Sequence, residues 1–219
     1  MTIDFQTPSN LKTRAGFAAL IGAPNVGKST LMNYIVGAKV SIVTPKVQTT
    51  RSRIRGIAMS EESQIIFVDT PGIFKPKRRL DRAMVHAAWQ GTDEADVTLV
   101  LNDSARTSLD EETEAIIKQI IKIKEEFPHR KFALILNKID LTRPENLLRR
   151  ASQLTQMLEF EKIFMISAEK GKGVKDLVKW LAEQMPHSPF LFDPNDLSDL
   201  PQRQLAAEIL REKLFMNLH

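Results

Sequence analysis

The sequence of 219 residues contains no cysteine and no long apolar run. Without cysteine there is no disulfide, no thiol nucleophile and no cysteine-ligated zinc, and this composition suits a reducing compartment. The longest purely apolar runs are short pieces such as residues 132–136, whereas a membrane-spanning helix needs about 18 consecutive apolar residues. The two absences exclude a disulfide scaffold and a membrane-spanning segment.

Histidine is scarce as well, with four residues at positions 86, 129, 187 and 219. Their spacing does not suit a zinc site, so we expect each to be an ordinary surface or core residue. The rest of the composition, 42% hydrophobic and 26% charged residues, is typical of a globular protein. It excludes extensive disorder and low-complexity architecture, and the length predicts one large domain with an additional fragment.

The N-terminal region imitates a secretory signal, because Lys12 and Arg14 precede an apolar stretch over residues 16–23. That stretch runs directly into a glycine-rich loop ending in lysine, which needs it as a strand. No small-residue cleavage site follows it. We therefore interpret the stretch as part of the fold and expect a cytoplasmic protein.

Short β-rich runs alternate with stretches of helical period along most of the chain. The strand-like runs cover residues 17–21, 53–59, 64–68, 97–101, 131–136 and 162–166. The helical stretches cover residues 28–36, 80–90, 110–125, 144–158 and 174–184. Apolar strands separated by helices indicate a parallel sheet covered on both faces, and the short connection over residues 60–63 predicts a hairpin. The predicted fold is therefore α/β, a mostly parallel six-stranded sheet with one antiparallel strand.

The character of the sequence changes at Pro186. Residues 186–200 are rich in proline and aspartate and predict a linker, and Pro201 opens a predicted helix over residues 201–219. The apolar residues of this helix form one stripe: Leu205, Ile209, Leu210, Leu214 and Phe215. Either the helix docks on the main domain, or it is the first helix of a domain that this chain does not contain. In the second case we expect residues after about 200 to pack against a neighbouring molecule or to be mobile, because helix formation alone cannot offset exposed apolar side chains.

Residues 22–29 match the phosphate-binding pattern G-x-x-x-x-G-K-[ST], between a predicted strand and a predicted helix. Glycines allow successive backbone N–H groups to surround a phosphate, and the start of the helix adds positive potential. Lys28 adds a charge at the outer phosphates, and Ser29 offers a hydroxyl to Mg²⁺. A plain strand-to-helix turn is the alternative interpretation. The predicted phosphate-binding residues are Gly22, Ala23, Pro24, Asn25, Val26, Gly27, Lys28, Ser29 and Thr30.

A second pattern, N-K-x-D, covers Asn137 to Asp140 directly after an apolar strand. It therefore lies at the carboxyl edge of the predicted sheet, where open α/β sheets bind ligands. The Asp140 carboxylate can accept the N1–H and 2-amino protons of guanine, whereas adenine would leave it unpaired. Asn137 can join the base edge to the phosphate loop, and the stem of Lys138 can lie over the base. We therefore predict GTP rather than ATP as the ligand.

Two further loops follow predicted strands. Their residues are Asp69, Thr70, Pro71 and Gly72, and Ser167, Ala168 and Glu169. In the first loop, a D-x-x-G pattern, Asp69 can hold Mg²⁺ through water and the Gly72 N–H can meet the γ-phosphate; a plain Pro-Gly turn is the alternative. In the second loop a backbone N–H can face the guanine oxygen, although this signal is weak by itself.

Together, these four motifs resemble the translation-factor-like P-loop GTPases, and the strings over residues 48–51, 89–96 and 207–213 resemble the Era family of bacterial ribosome-assembly GTPases. The resemblance covers nearly the whole chain. It implies a Ras-like GTP-binding domain over residues 1–185, a linker over residues 186–200 and the first helix of an incomplete RNA-binding KH domain over residues 201–219. It also implies binding to ribosomal RNA and the small ribosomal subunit, and peripheral contact with the inner membrane.

The same resemblance implies a mechanism. Ras-like GTPases place a water-orienting glutamine directly after D-x-x-G, but this chain has Ile73 there. Because isoleucine cannot orient water, we expect slow intrinsic hydrolysis. Members with a hydrophobic residue at that place often use K⁺, held partly by the residue that matches Asn25. Thr50, or the adjacent Thr49, would complete the Mg²⁺ shell. The implied metal ligands are Ser29, Thr50 and Asp69, and the implied catalytic residues are Lys28, Thr50, Gly72 and Asn25. A non-catalytic GTP-dependent binding module and another related assembly GTPase are the alternatives.

Positive charge is concentrated in one segment. Residues 46–82 contain nine basic and four acidic residues, a net charge of +5, whereas the whole chain carries +4 and the remainder therefore −1. This excess surrounds the two loops that would respond to the nucleotide, so it predicts contact with an anionic partner such as ribosomal RNA. A solvated surface that balances a bound triphosphate is the alternative.

Overall fold

The computed structural model of the protein describes residues 12–43, 54–74 and 79–217. The strands are β1 Arg14–Gly22, β2 Ile54–Ser60, β3 Ser63–Asp69, β4 Val97–Asp103, β5 Lys131–Asn137 and β6 Lys162–Met165. The helices are α1 Lys28–Val36, α2 Arg79–Asp93, α3 Glu111–Glu126, α4 Pro144–Met157, α5 Val174–Gln184 and α6 Gln202–Asn217. Each predicted strand and helix is present, and α1 and α5 begin and end at the predicted residues.

The strands form one six-stranded sheet in the order β2-β3-β1-β4-β5-β6. Five strands run parallel, and β2 pairs antiparallel with β3. The β2–β3 hairpin turns through Glu61, whose φ is +53°, and Glu62. The predicted α/β fold with one antiparallel strand is therefore confirmed.

Both faces of the sheet are covered by helices. On one face α1 and α5 pack against the strands, with Leu31 and Leu177 fully buried. On the other face α2, α3 and α4 pack, with Ile117 and Leu154 fully buried. Burying one large apolar side chain contributes about 1.5–3 kcal/mol. The two layers therefore hold the ends of the strands, and the loops that leave them, in fixed positions.

Helix α3 begins at a well-formed polar cap. The Asp110 carboxylate accepts the Thr113 backbone N–H at 2.7 Å and a guanidinium N–H of Arg106 at 2.6 Å. Burial by itself would raise the pKa of Asp110, but the hydrogen bonds from Thr113 and Arg106 outweigh it and leave that pKa below its ordinary value. The ionised cap is favourable at a helix N-terminus, where backbone N–H groups need an acceptor.

Residues 186–200, the predicted linker, form only isolated β-bridges, yet they are fastened to the sheet. The fully buried side chain of Gln64 on β3 accepts the N–H groups of Leu191 and Phe192 at 2.8 and 3.0 Å and donates to the Phe192 carbonyl at 2.9 Å. Farther along, the Ser198 hydroxyl donates to the Arg55 carbonyl at 2.7 Å. A buried amide is tolerated because its hydrogen bonds are made, so this segment has a defined place on the domain.

Helix α6 docks on the main domain through Glu212, which is 2% exposed. Its carboxylate accepts the Val43 N–H at 3.0 Å and pairs with the Lys39 ammonium. Leu210 and Leu214 of the apolar stripe remain exposed. Helix α6 therefore contacts the main domain of the same chain through a polar contact of Glu212. The side chains of Leu205 and Phe215 lie outside the described residues, and the assignment of residues 201–219 to a KH domain stays a prediction.

Some predictions fall on residues that the structure does not describe. Thr49, Thr50 and most basic side chains of residues 46–82 lie outside the described residues, so the predictions for them stay predictions. Among the described residues, no helix is long and apolar enough to cross a membrane. The same part of the chain holds no group of three or more His, Cys, Asp or Glu side chains that could bind a metal ion.

Candidate functional site

The four predicted motifs that the structure describes meet at one edge of the sheet. The loop over residues 22–29 leaves β1 and enters α1, while β3 ends at Asp69 and β5 ends at Asn137. In the sheet, β1 neighbours β3, and β4 lies between β1 and β5. Because these strands run parallel, their carboxyl ends bring together loops that are distant in the sequence.

Lys28 lies in the first turn of α1 and is 7% exposed. Its ammonium donates to the carbonyl oxygens of Gly22 at 3.1 Å and Ala23 at 3.0 Å. Burial lowers the pKa of Lys28 to about 8, and the charge of Asp69 partly opposes this effect. The loop therefore holds a desolvated cation next to its own backbone, in a position where a phosphate would stabilise the charge.

Gly27 precedes α1 in a left-handed conformation with φ +100°. A Cβ atom at this position would lie 2.3 Å from Nδ2 of Asn137, so both conformation and space require glycine. The close approach allows Nδ2 of Asn137 to donate to the Val26 carbonyl at 2.8 Å. Asn137 therefore joins the end of β5 to the phosphate loop.

Three polar side chains converge at the end of β3. Oδ2 of the buried Asp69 carboxylate accepts the Ser29 hydroxyl at 2.6 Å and the Ser41 hydroxyl at 2.8 Å. A carboxylate and a hydroxyl next to a phosphate loop are hard oxygen donors of the kind that Mg²⁺ prefers. Ser29 and Asp69 therefore fit a magnesium site, while the third expected ligand, Thr50, lies outside the described residues.

The D-x-x-G loop packs directly on the phosphate loop. The Thr70 hydroxyl donates to the Leu20 carbonyl at 2.7 Å, and the Ile73 N–H donates to the Gly22 carbonyl at 3.0 Å. A Cβ atom at Gly72 would lie 2.9 Å from Cα of Pro24, so this close approach needs glycine. The Ile73 side chain is buried in the core on the α2–α4 face and has no polar atom with which to orient water.

A pocket opens beside the phosphate loop, at the ends of β5 and β6. The residues that line it are Gly27, Thr30, Asn137, Lys138, Asp140, Leu141, Ser167, Ala168 and Glu169. The fold thus brings the N-K-x-D motif and the 167–169 loop into one cavity. Polar groups at the rim and the apolar side chain of Leu141 suit a flat heterocyclic ring.

Lys138 connects this pocket to the phosphate loop. Its backbone is left-handed, with φ +64°, and its ammonium donates to the Asn25 carbonyl at 2.8 Å and to Oδ2 of Asp103 at 2.7 Å. The Ala105 N–H donates to the other oxygen of Asp103 at 3.0 Å. These contacts hold the ammonium against the loop and place the Lys138 side chain in the wall of the pocket.

Asp140 is exposed at the rim of the pocket. A hydrogen bond from the Ser167 side chain lowers the pKa of the Asp140 carboxyl, and the charges of Lys170 and Lys138 act in the same direction. The carboxylate therefore stays ionised at neutral pH, when it can accept two N–H groups. The Ala168 N–H donates to Oδ1 of Asn137 at 2.9 Å, so its predicted contact with a guanine oxygen stays a prediction.

Sequence reasoning missed three residues that support the site. Ser41 contacts Asp69, Asp103 contacts Lys138, and a guanidinium N–H of Arg106 lies 3.4 Å from the Pro24 carbonyl oxygen. Asp103 offers one signal, because it follows an apolar strand at the same sheet edge as the motifs. Ser41 and Arg106 lie in no recognisable pattern, and their contacts exist only in the folded chain.

Comparison with known proteins gives one consistent group of relatives. Residues 17–138 match the family described as 50S ribosome-binding GTPase. GTPase Era of Bradyrhizobium diazoefficiens is 53% identical over 219 residues, which cover 100% of this chain and 69% of that protein. GTPase Era of Afipia carboxidovorans is 55% identical over 207 residues, which cover 94% of this chain and 65% of that protein. The chain thus spans about two thirds of these relatives.

Solved structures agree with the sequence relatives. A tyrosine-to-alanine variant of Aquifex aeolicus Era bound to GDP and AlF₄⁻ superposes with a TM-score of 0.84 at 40% identity, covering 93% of this chain and 68% of that one. Era in complex with MgGDPNP and nucleotides 1506–1542 of 16S ribosomal RNA superposes with a TM-score of 0.85 at 39% identity, covering 94% of this chain and 68% of that one. The G domain of FeoB from Methanococcus jannaschii shares the fold alone. It superposes with a TM-score of 0.57 at 24% identity, covering 78% of this chain and 98% of that one.

Proposed function

Because the chain belongs to the Era family of GTPases, we propose that it is a guanine-nucleotide switch that hydrolyses GTP and binds ribosomal RNA of the small ribosomal subunit. One observation carries this proposal. The phosphate loop, Asp69 and the pocket beside Asp140 lie at a single edge of the sheet, in the arrangement that a nucleoside triphosphate requires.

The phosphate loop would bind the outer phosphates of GTP. The Lys28 ammonium would exchange the Gly22 and Ala23 carbonyls for phosphate oxygens, which relieves its desolvation. Ser29 and Asp69 would hold Mg²⁺, together with Thr50 or Thr49. When bound, the metal ion would offset the negative charge of the phosphates during transfer. The Gly72 N–H would meet the γ-phosphate, so that D-x-x-G responds to its loss.

The pocket would bind guanine. Asp140 would accept the N1–H and 2-amino protons of the base, and adenine would leave this carboxylate without a donor. Asn137 and Lys138 would hold the guanine pocket in place beside the phosphate loop, because each side chain already donates to a carbonyl of that loop.

Hydrolysis would proceed without a side chain that orients water. Ile73 follows D-x-x-G and is buried, so the attacking water needs other partners. We propose that K⁺ contributes positive charge near the phosphates and that Asn25, in the loop with φ +62°, is one of its ligands. Intrinsic turnover would then be slow and would depend on the monovalent cation.

Ribosomal RNA is the proposed macromolecular partner. The solved complex of Era with 16S ribosomal RNA and the net charge of +5 over residues 46–82 both support it. We place the GTP-binding domain over residues 1–185 and propose that residues 201–219 are the first helix of a KH domain. Peripheral contact with the inner membrane stays a prediction.

Single-turnover hydrolysis tests the enzymatic proposal. Purified protein with Mg²⁺ is expected to hydrolyse GTP but not ATP, and faster in K⁺ than in Na⁺. Asn25→Ala should remove the difference between K⁺ and Na⁺ while leaving slow turnover in Na⁺. An unchanged K⁺ response in Asn25→Ala would show that the cation site is elsewhere, and equal affinity for ATP and GTP would refute the guanine pocket.

A fluorescence titration tests the RNA proposal. An oligonucleotide with the 3′-end sequence of 16S ribosomal RNA and a scrambled control are titrated at two salt concentrations. We expect weak, salt-sensitive binding of both to this chain, because phosphate contacts by basic residues carry no sequence information. Selective binding that persists at high salt would place the RNA-reading surface within these residues, and no binding at low salt would contradict the basic segment as a contact.

A further inference from the structure

One hydrogen bond at the nucleotide site has no part in the function proposed above. The Ser41 hydroxyl donates to Oδ2 of Asp69 at 2.8 Å, and Ser41 is 1% exposed. A hydroxyl that bonds to a carboxylate makes a charge-assisted contact, which is stronger than a bond between neutral groups. Ser41 therefore acts on the side chain that would hold Mg²⁺, although it lies in no motif.

The backbone around Ser41 is fixed independently of Asp69. Oδ1 of Asn33 accepts the N–H groups of Val40 and Ser41 at 3.0 and 2.9 Å, and its Nδ2 donates to the Ser41 carbonyl at 2.7 Å. Val40 and Ile42, on either side, are buried in the domain. One amide on α1 thus sets the position of Ser41, and the Ser41 hydroxyl in turn meets Asp69.

The second hydroxyl on Asp69 is placed differently. Ser29 donates to the same oxygen at 2.6 Å, but it lies at the start of α1 and would itself become a metal ligand. Its position therefore depends on the metal and the nucleotide. Ser41 is not among the expected metal ligands and keeps its place through Asn33, so it can define the rotation of the Asp69 carboxylate whether or not the metal is bound.

We propose that Ser41 is a positioning residue for Asp69, which fixes this carboxylate in the orientation that Mg²⁺ requires; the inference rests on the function proposed above. Partners behind metal ligands typically change metal affinity by about 10–100-fold when they are removed. Loss of the Ser41 hydroxyl is expected to weaken Mg²⁺ about tenfold, near the lower limit, because Ser29 still contacts Asp69. Nucleotide affinity without Mg²⁺ should not change.

The test measures metal binding without turnover. Fluorescently labelled GDP is titrated into wild-type protein and Ser41→Ala over a series of free Mg²⁺ concentrations, including chelator alone. In Ser41→Ala the Mg²⁺ concentration that gives half of the metal-dependent gain in GDP affinity should rise about tenfold. Ser41→Cys keeps a side chain at this position, but a thiol is a weak donor, so the half-maximal Mg²⁺ concentration should rise less. This variant also tests the proposal if Ser41→Ala does not fold.

Ser63→Ala is the matched control. Ser63 is a buried serine at the other end of β3, and its hydroxyl donates to the Ala182 carbonyl at 3.3 Å. This variant should lose stability without a shift in the Mg²⁺ curve. An equal shift in Ser63→Ala and Ser41→Ala, or no shift in either Ser41 variant, would overturn the role of Ser41. If wild-type GDP affinity itself ignored Mg²⁺, the proposed metal site would be wrong instead.

Discussion

The two halves of the candidate nucleotide site are built in opposite ways. The phosphate half, residues 22–29 with residues 69–72, is largely buried, and its charged groups already have partners within the protein. Lys28 donates to two carbonyls of the loop, and Asp69 accepts two hydroxyls. The base half, residues 137–140 with residues 167–169, opens to solvent and leaves the Asp140 carboxylate exposed.

This difference assigns different tasks to the two halves. In the phosphate half a ligand would replace internal partners, so we expect affinity to depend on the protonation and the fit of buried groups. In the base half a solvated carboxylate would exchange water for the edge of guanine, so we expect it to contribute selectivity more than affinity. The halves are joined where Asn137 meets Gly27 and where Lys138 meets Asn25.

Gly27→Ala is expected to have the largest effect, because it disturbs both halves at their junction. The new Cβ would lie 2.3 Å from Nδ2 of Asn137 and would force alanine into φ +100°. Left-handed strain costs about 1–3 kcal/mol, and displacement of Asn137 opens the base pocket as well, so GDP affinity should fall by more than about 100-fold. Gly37→Ala is the control, since Gly37 has φ +73° but an added Cβ would have no atom of the other described residues within 4 Å, apart from its neighbours in the chain. It should lower the melting temperature with unchanged GDP affinity in a fluorescence titration.

Asp140→Asn should affect the base half alone. An amide cannot accept both protons of guanine but can donate to the 2-oxo group of xanthine, so GDP affinity should fall about 100-fold and xanthosine diphosphate should bind better than GDP. Competition titrations with both nucleotides measure this change. Asp176 lies in the first turn of α5 and does not line the pocket, so Asp176→Asn removes the same charge and should change neither affinity. A comparable loss of both nucleotides in Asp140→Asn would mean that Asp140 supports the phosphate half.

The pH dependence of GDP binding should report the phosphate half. Lys28 has a pKa of about 8 in the free protein, lowered by burial, and phosphate prefers its protonated form. Affinity is therefore complete below that pKa and falls as pH rises through it, by about fourfold between pH 7 and pH 8.5. Titrations stop at pH 8.5 because the N1–H of guanine begins to ionise at higher pH. Lys28→Arg, which remains charged throughout, should bind with a flat profile; a slope that persists in this variant would assign the titration to another group.

Asp110→Ala should have the smallest effect, because it acts on the phosphate half from outside. Asp110 caps α3 and holds Arg106, whose guanidinium reaches the Pro24 carbonyl. Loss of an N-cap costs about 1 kcal/mol of stability, and we expect less than about a threefold loss of GDP affinity. Asp110→Asn keeps a cap but not the charge for Arg106, so it should recover most of the stability measured by chemical denaturation. A large loss of affinity in both variants would make Arg106 a principal support of the loop.

The sequence determined the fold class and the order of the elements, and it also predicted both halves of the candidate site. Helices α1 and α5 begin and end at the predicted residues, because an apolar period and glycines beside the helix mark them locally. The phosphate loop and the N-K-x-D motif can also be predicted from local sequence, since each needs a fixed set of residue types within a few positions.

The tertiary structure alone decided which residues support that site. Ser41 meets Asp69, Asp103 meets Lys138, and Glu212 fastens α6 to Val43, each across a long stretch of sequence. Serine, aspartate and glutamate are common on protein surfaces, so nothing in the local pattern distinguishes Ser41 and Glu212, and the position of Asp103 after an apolar strand does not reveal its partner. Their roles arise because burial requires each polar group to find a partner, and only the packed sheet and helices determine which partner lies within reach.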